Sequence, residues 1–151
     1  MNNLTQGLLE AGHKVKILTI YTPKHDFKLE EMPPAYIEKT DIEGVFVDTS
    51  INLMDAYIAV MTNDSYHVNR FFSTDMDIRI ERVLKKGNFD AIILESLFIT
   101  PYLHTIKKNK KNAPIILRAH NIEYTIWEKI AIRTKNPFKK IYLNHLTRQL
   151  R

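Results

Sequence analysis

The stretch Ala113-Pro114-Ile115-Ile116-Leu117-Arg118-Ala119-His120-Asn121-Ile122-Glu123-Tyr124-Thr125-Ile126-Trp127 decides how the rest of the chain is read. Pro114 opens an apolar run, the run ends in a cluster of polar side chains, and helical spacing takes over through Ile122, Ile126 and Ile130. A short, nearly continuous apolar run is what a strand covered by helices on both faces requires. In open α/β sheets ligands bind outside the carboxyl ends of the strands, so Arg118, His120, Asn121 and Glu123 stand where a site is expected.

Phe89-Asp90-Ala91-Ile92-Ile93-Leu94 repeats the pattern, with Glu95-Ser96 at its carboxyl end. Upstream, Leu4, Leu8 and Ala11 keep helical spacing up to Gly12, and Val15 to Tyr21 is a strand. Residues 22–41 carry Pro23, Pro33 and Pro34 among charges and read as a loop with little regular structure. Ile42 to Thr49 alternates through Val45 and Val47 as a further strand. Ser50 then caps a helix with Met54, Tyr57, Ile58 and Met61 on one face. Tyr66 to Phe72 fits either an extended segment or an aromatic loop.

The strongest local helix signal follows. Thr74 with Asp77 forms a capping box, Met76, Ile80, Val83 and Leu84 share a face, Lys85-Lys86 fall in the last turn, and Gly87 is the stop. A helix through Ile99, Leu103 and Ile106 tolerates Pro101 in its first turn, and Asn136-Pro137 opens another through Phe138, Ile141, Tyr142, His145 and Gln149.

Strands alternating with helices predict an α/β class, a Rossmann-like three-layer domain with a mostly parallel sheet, occupying residues 1–151 as one unit. A doubly wound domain usually begins with a strand and its turn before the first helix. Because the chain opens on the helix, that first, mid-sheet strand is expected to be missing from it. The sheet is then expected to close its gap by rearrangement, by a partner chain or by a neighbouring copy, which makes a homo-oligomer a candidate state.

The composition narrows the function classes. There is no cysteine among the 151 residues and no apolar run of 18 residues, so a disulfide framework and a membrane span are not expected and a cytoplasmic setting is. The net charge of +5 is compatible with nucleic acid, an anionic membrane surface or an anionic small molecule. Its densest cluster, Lys107-Lys108-Asn109-Lys110-Lys111, sits at an expected helix end, where cations complement the dipole. No basic-aromatic module accompanies it, and nucleic acid is not expected as a partner.

No GxGxxG, P-loop, HExxH or GxSxG motif occurs, only four glycines are present, and the six histidines show no metal-ligand spacing, so no metal or cofactor is expected. If the two apolar strands are neighbours, Glu95 and His120 share one cleft rim. Plain structural roles fit the same residues: Glu95 capping the next helix, His120 bonded within a loop, an Arg118–Glu123 ion pair, and Trp127 in the core.

Taken together, Leu8-Leu9-Glu10-Ala11-Gly12-His13-Lys14-Val15-Lys16-Ile17-Leu18-Thr19 resembles the first-helix-to-second-strand segment of glycosyltransferases with the GT-B fold. Phe89 to Ser96, and Arg118-Ala119-His120-Asn121-Ile122-Glu123-Tyr124 with Trp127, are similar to later segments of the amino-terminal domain in family 4. The resemblance runs in order over nearly the whole chain. It implies an acceptor-binding domain that works opposite a second domain, and transfer from a nucleotide-sugar donor with retention and without an obligatory metal. His120 matches the family histidine of the cleft and takes the catalytic role, while Glu95, Ser96, Arg118 and Asn121 would line the acceptor side. The acceptor would be a sugar or a lipid-linked molecule, met in the cytoplasm or at the inner face of the membrane.

The donor domain and its pair of glutamates seven residues apart lie outside the sequence. Glu30 and Glu38 copy that spacing in a Pro-rich loop and are read as coincidence. The 151 residues alone are therefore expected to be inactive. The alternative is a non-catalytic Rossmann-like module that docks on an anionic membrane surface or a protein partner through its basic surface.

Overall fold

Gly12 ends the first helix through the backbone. In the computed structural model, which describes residues 3–50, 66–119 and 122–150, it takes φ +84°, a left-handed conformation open to glycine without a Cβ penalty. The Gly12 and His13 N–H groups then donate to the carbonyls of Leu9 and Leu8 at 3.1 and 3.0 Å, closing helix α1 (Asn3–Glu10) with a Schellman turn. The chain divides into two compact units, Met1–Thr49 and Ser50–Arg151.

In the first unit, β1 (Leu18–Tyr21) pairs in parallel with β2 (Glu43–Phe46), in the register Leu18↔Glu43 to Tyr21↔Phe46. Parallel strands need a crossover, and α2 (Pro34–Thr40) supplies it. The proline-rich segment expected to lack regular structure thus holds a helix, preceded by a 3-10 turn (Leu29–Glu31). The physical reason is that Pro34 occupies the first helical position, where its missing N–H costs nothing and its fixed φ is already helical.

The helix closes on Asp41, also left-handed at φ 42°. Lys16 Nζ gathers the Asp41 carbonyl, the Asp41 carboxylate (2.6 Å) and the Glu43 carboxylate, tying the approach to β1 to the α2–β2 corner. Partial burial works to lower the Lys16 pKa, but the hydrogen bonds to Asp41 and Glu43 outweigh it and hold the ammonium above its ordinary value.

Gly44 is required by a close approach. A Cβ there would lie 2.5 Å from the Phe27 ring, which stacks on Tyr21 at 5.9 Å between centroids. Gly44→Ala is expected to destabilise this unit by about 1–3 kcal/mol through overpacking. The cost should shrink in a Phe27→Ala background by about 1 kcal/mol or more, measured by urea unfolding followed in the far ultraviolet. Equal costs in both backgrounds would refute the assignment to the ring.

The second unit repeats the crossover logic. β3 (Ile92–Leu94) pairs in parallel with β4 (Ile115–Leu117), joined by a 3-10 segment (Leu97–Tyr102) and α5 (Leu103–Asn109). A helical turn, α3 (Tyr66–Asn69), stands where the sequence offered an extended segment or an aromatic loop, neither of which forms over those four residues, and the helix expected after Ser50 lies outside the described residues. Helix α4 (Thr74–Lys86) buries Met76, Ile80 and Leu84 as its spacing predicts and packs on α5, whose Ile106 is also buried. Its N-cap is Ser73 rather than Thr74, with no side-chain capping bond, so the expected capping box does not form. Gly87 follows with ordinary negative φ (−89°); a Cβ there would strike the Phe89 ring, so close packing and not backbone handedness selects glycine.

Helices α6 (Glu123–Arg133) and α7 (Pro137–Gln149) pack on each other, with Ala131, Leu143 and Leu146 buried. Asn136 caps α7 by accepting the Lys139 N–H at 3.1 Å, ahead of Pro137 at the first helical position, as expected. Ile122, Ile126 and Ile130 share one face, as their spacing gives, and that face is exposed. One expectation of burial is corrected: β4, expected to be covered on both faces, has Ile116 and Leu117 each close to half exposed. Side chains stand off the faces of a sheet, so Ile116 and Leu117 stay exposed where no helix packs over them; among the described residues β4 pairs with β3 alone.

Tyr102 is the polar centre of this unit's core. Fully buried, its hydroxyl donates to the Phe71 carbonyl (2.6 Å) and accepts the Ser73 N–H (2.9 Å), while its ring stacks on Phe72 at 5.4 Å. Burial pushes its pKa up to about 12; the Ser73 N–H opposes the shift and Asp77 adds to it. A tyrosine whose folded pKa exceeds the unfolded value of about 10 contributes stability that is fully present below pH ~10 and is lost as pH rises toward ~12. Tyr102→Phe should cost about 1–3 kcal/mol at neutral pH by leaving the two backbone groups without their partner. It should also flatten the alkaline fall in stability, with Trp127 fluorescence in urea titrations at pH 7 to 12 as the measurement.

Candidate functional site

The sequences entering the site are near duplicates: Ile92-Ile93-Leu94 precedes Glu95, and Ile115-Ile116-Leu117 precedes Arg118. Because β3 and β4 run parallel in the register Leu94↔Leu117, the residue after each triplet emerges at the same carboxyl edge. The Arg118 N–H extends the ladder by donating to the Leu94 carbonyl at 2.8 Å. Glu95 and Arg118 therefore face each other across two neighbouring strands.

Arg118 Nη1 donates to both carboxylate oxygens of Glu95, at 3.1 Å to Oε2 and 3.3 Å to Oε1. One guanidinium nitrogen thus sits between both oxygens, so the planar fork is not matched edge to edge and its other N–H groups are not spent on this pair. The side chains are 35% (Glu95) and 42% (Arg118) exposed. The partner expected for Arg118 in a plain ion pair was Glu123; the structure gives it Glu95 instead, because strand register outranks sequence proximity. The signal was present in the duplicated Ile-Ile-Leu triplets.

Ser96, next along the rim, accepts the Phe98 N–H on its Oγ at 3.2 Å and so caps the 3-10 segment, the role considered for Glu95. Its hydroxyl also carries one proton to donate. His120 and Asn121, the other two expected site residues, lie outside the described residues; β4 ends at Leu117 and α6 begins at Glu123. Glu95 and Arg118 are brought together, with Ser96 next to Glu95 in the chain. They present an acceptor, a hydroxyl and a donor, a set suited to ligand hydroxyl groups.

The lysine cluster is partly committed to the fold. Lys111, left-handed at φ 53°, donates through Nζ to the Gly87 carbonyl (2.9 Å) and to Asn88, and Lys110 donates to the Ala113 carbonyl at 3.1 Å. Among the described residues no group of three histidine, cysteine, aspartate or glutamate side chains is placed to hold a metal. No family model, curated protein or solved structure matches the chain.

An exposed ion pair of this kind contributes about 0–1 kcal/mol. Arg118→Met is accordingly expected to shift the free energy of unfolding by less than about 1 kcal/mol in urea titrations. A loss above about 2 kcal/mol would make the pair a structural element and remove it from the site.

Proposed function

We propose that this chain is the acceptor-binding, amino-terminal part of a retaining glycosyltransferase that draws on a nucleotide-activated sugar, built as a Rossmann-like three-layer domain. The observation that carries the reading is the meeting of Glu95 and Arg118 at the carboxyl ends of adjacent parallel strands, the edge at which α/β sheets bind ligands. The resemblance of the Arg118 to Trp127 run to family 4 adds His120 and Asn121 to that edge. In this role His120 orients an acceptor hydroxyl or steadies developing charge, while Glu95 and Arg118 fix the sugar ring by paired hydrogen bonds. Such bonds to charged groups are worth about 1.5–3 kcal/mol each.

The carboxylate and guanidinium, already paired, exchange part of their mutual bond for ligand hydroxyls without unfolding anything. Transfer itself draws on the donor domain, so the 151 residues bind acceptor without moving sugar. Titrating the chain with glucose, mannose, galactose and N-acetylglucosamine, free and as short lipid glycosides, should move the His120 and Arg118 side-chain resonances for at least one of them. Arg118→Met and Glu95→Gln should each weaken that binding about ten-fold or more, from the same bond energies. Absence of any response to the whole panel, or sugar transfer by the 151 residues alone, would overturn the reading.

A further inference from the structure

Helices α6 and α7 carry a surface that the site does not use. Ile122, Ile126 and Ile130 recur every four residues along one outward side of the α6 segment, opposite the buried Ala131. Ile132 (71% exposed), Phe138 (83%) and Ile141 (68%) continue the apolar exposure across the turn into α7. An isolated exposed isoleucine needs no explanation, but this many large apolar groups on one packed helix pair does.

The charge on the same pair is predominantly positive. Against Glu123 and Glu128 near the start of α6 stand Lys129, Arg133, Lys135, Lys139, Lys140 and Arg148, all exposed, and from residue 129 to 150 there is no aspartate or glutamate. Lys129 follows Ile126 by three residues and Arg133 follows Ile130 by three, which sets cations along the border of the apolar stripe.

We propose that the α6–α7 pair is a docking surface for an anionic lipid bilayer, on which the two helices lie rather than insert across. The mixture of exposed isoleucine and phenylalanine with long cationic side chains is that of an interfacial helix, its apolar side entering the headgroup boundary while lysine and arginine stems reach back to phosphates. No described helix is long and apolar enough to cross a membrane, which agrees with lying on the surface. A second copy of the chain is disfavoured as the occupant, since mating this face with itself would oppose six cations of each copy with only Glu123 and Glu128 of the other. The surface is also not the Lys107 to Lys111 cluster, where Lys110 and Lys111 already serve the backbone.

The inference stands apart from sugar binding, and its test avoids that site. The chain is sedimented with vesicles of phosphatidylcholine alone and of phosphatidylcholine with an equal part of phosphatidylglycerol, at low and high salt. Binding is expected to the anionic vesicles only and to weaken with salt. Lys139→Gln with Lys140→Gln should reduce it by roughly five-fold per charge, the equivalent of about 1 kcal/mol for each lysine near such a surface. Phe138→Asp with Ile141→Asp, at positions too exposed to carry the fold, should abolish it, while Arg118→Met leaves it unchanged.

No binding to anionic vesicles at low salt, or binding untouched by both double substitutions, would overturn the proposal. So would a dimer in light scattering that Phe138→Asp with Ile141→Asp dissolves, which would give the face to a second copy. Retention by polyglutamate but not by vesicles would give it to an acidic protein and overturn it equally.

Discussion

The register between β3 and β4 is the constraint on which the candidate site depends. Two parallel strands of three residues each are a small amount of sheet, yet their alignment at Leu94↔Leu117 brings two charged residues from separate parts of the sequence to one edge. A slip of one residue would turn every side chain of one strand to the opposite face and separate Glu95 from Arg118. Parallel pairing also forces the intervening chain to travel back along the strands, and the 3-10 segment and α5 do so, with Ser96 capping the first step. Rim chemistry and crossover geometry are thus set by the same few residues.

The site pair and the core of the second unit differ in energetic character. Tyr102 is sealed, holds two backbone groups and carries a pKa pushed up by burial, so its role is stability. Glu95 and Arg118 are solvated and weakly stabilising, so their adjacency is available for a ligand. The α6–α7 surface is a third kind of region, in which large apolar groups and cations are exposed side by side.

Features written into local chemistry were legible in the sequence. Gly12, the Met76, Ile80 and Leu84 face, and the Asn136-Pro137 helix start each follow from a residue type at a fixed offset, and each occurs as read. The carboxyl-end placement of Glu95 and Arg118 was legible too, as was the parallel α/β class, because apolar triplets followed by polar residues mark where strands run out. What escaped depends on contacts that a linear pattern does not contain. Pro33-Pro34 read as a breaker because its role depends on which side of a helix start it falls. The Ile115-Ile116-Leu117 run read as a covered strand because an apolar run gives the strand but not whether anything packs on its faces. Ser73 displaced Thr74 as the cap although both residue types suit the position, and Gly87 was chosen by the Phe89 ring and not by handedness. Asn121 and the expected catalytic His120 were legible as candidates through the polar run after β4, and the described residues add their flanks, Arg118 and Glu123.

Lys111 gives the two ends of the β3–β4 pair different freedoms. By reaching the Gly87 carbonyl and Asn88 it fastens the approach to β4 to the approach to β3, at the amino ends of both strands. At the opposite ends the strands are joined by the Arg118 N–H to the Leu94 carbonyl, a backbone bond that does not depend on which side chains stand at the rim. Over evolutionary time this makes the rim cheap to change: exchanges at Glu95, Ser96 or Arg118 can alter what is bound while the latch keeps the strands aligned, whereas loss of Lys111 would put the alignment itself at risk.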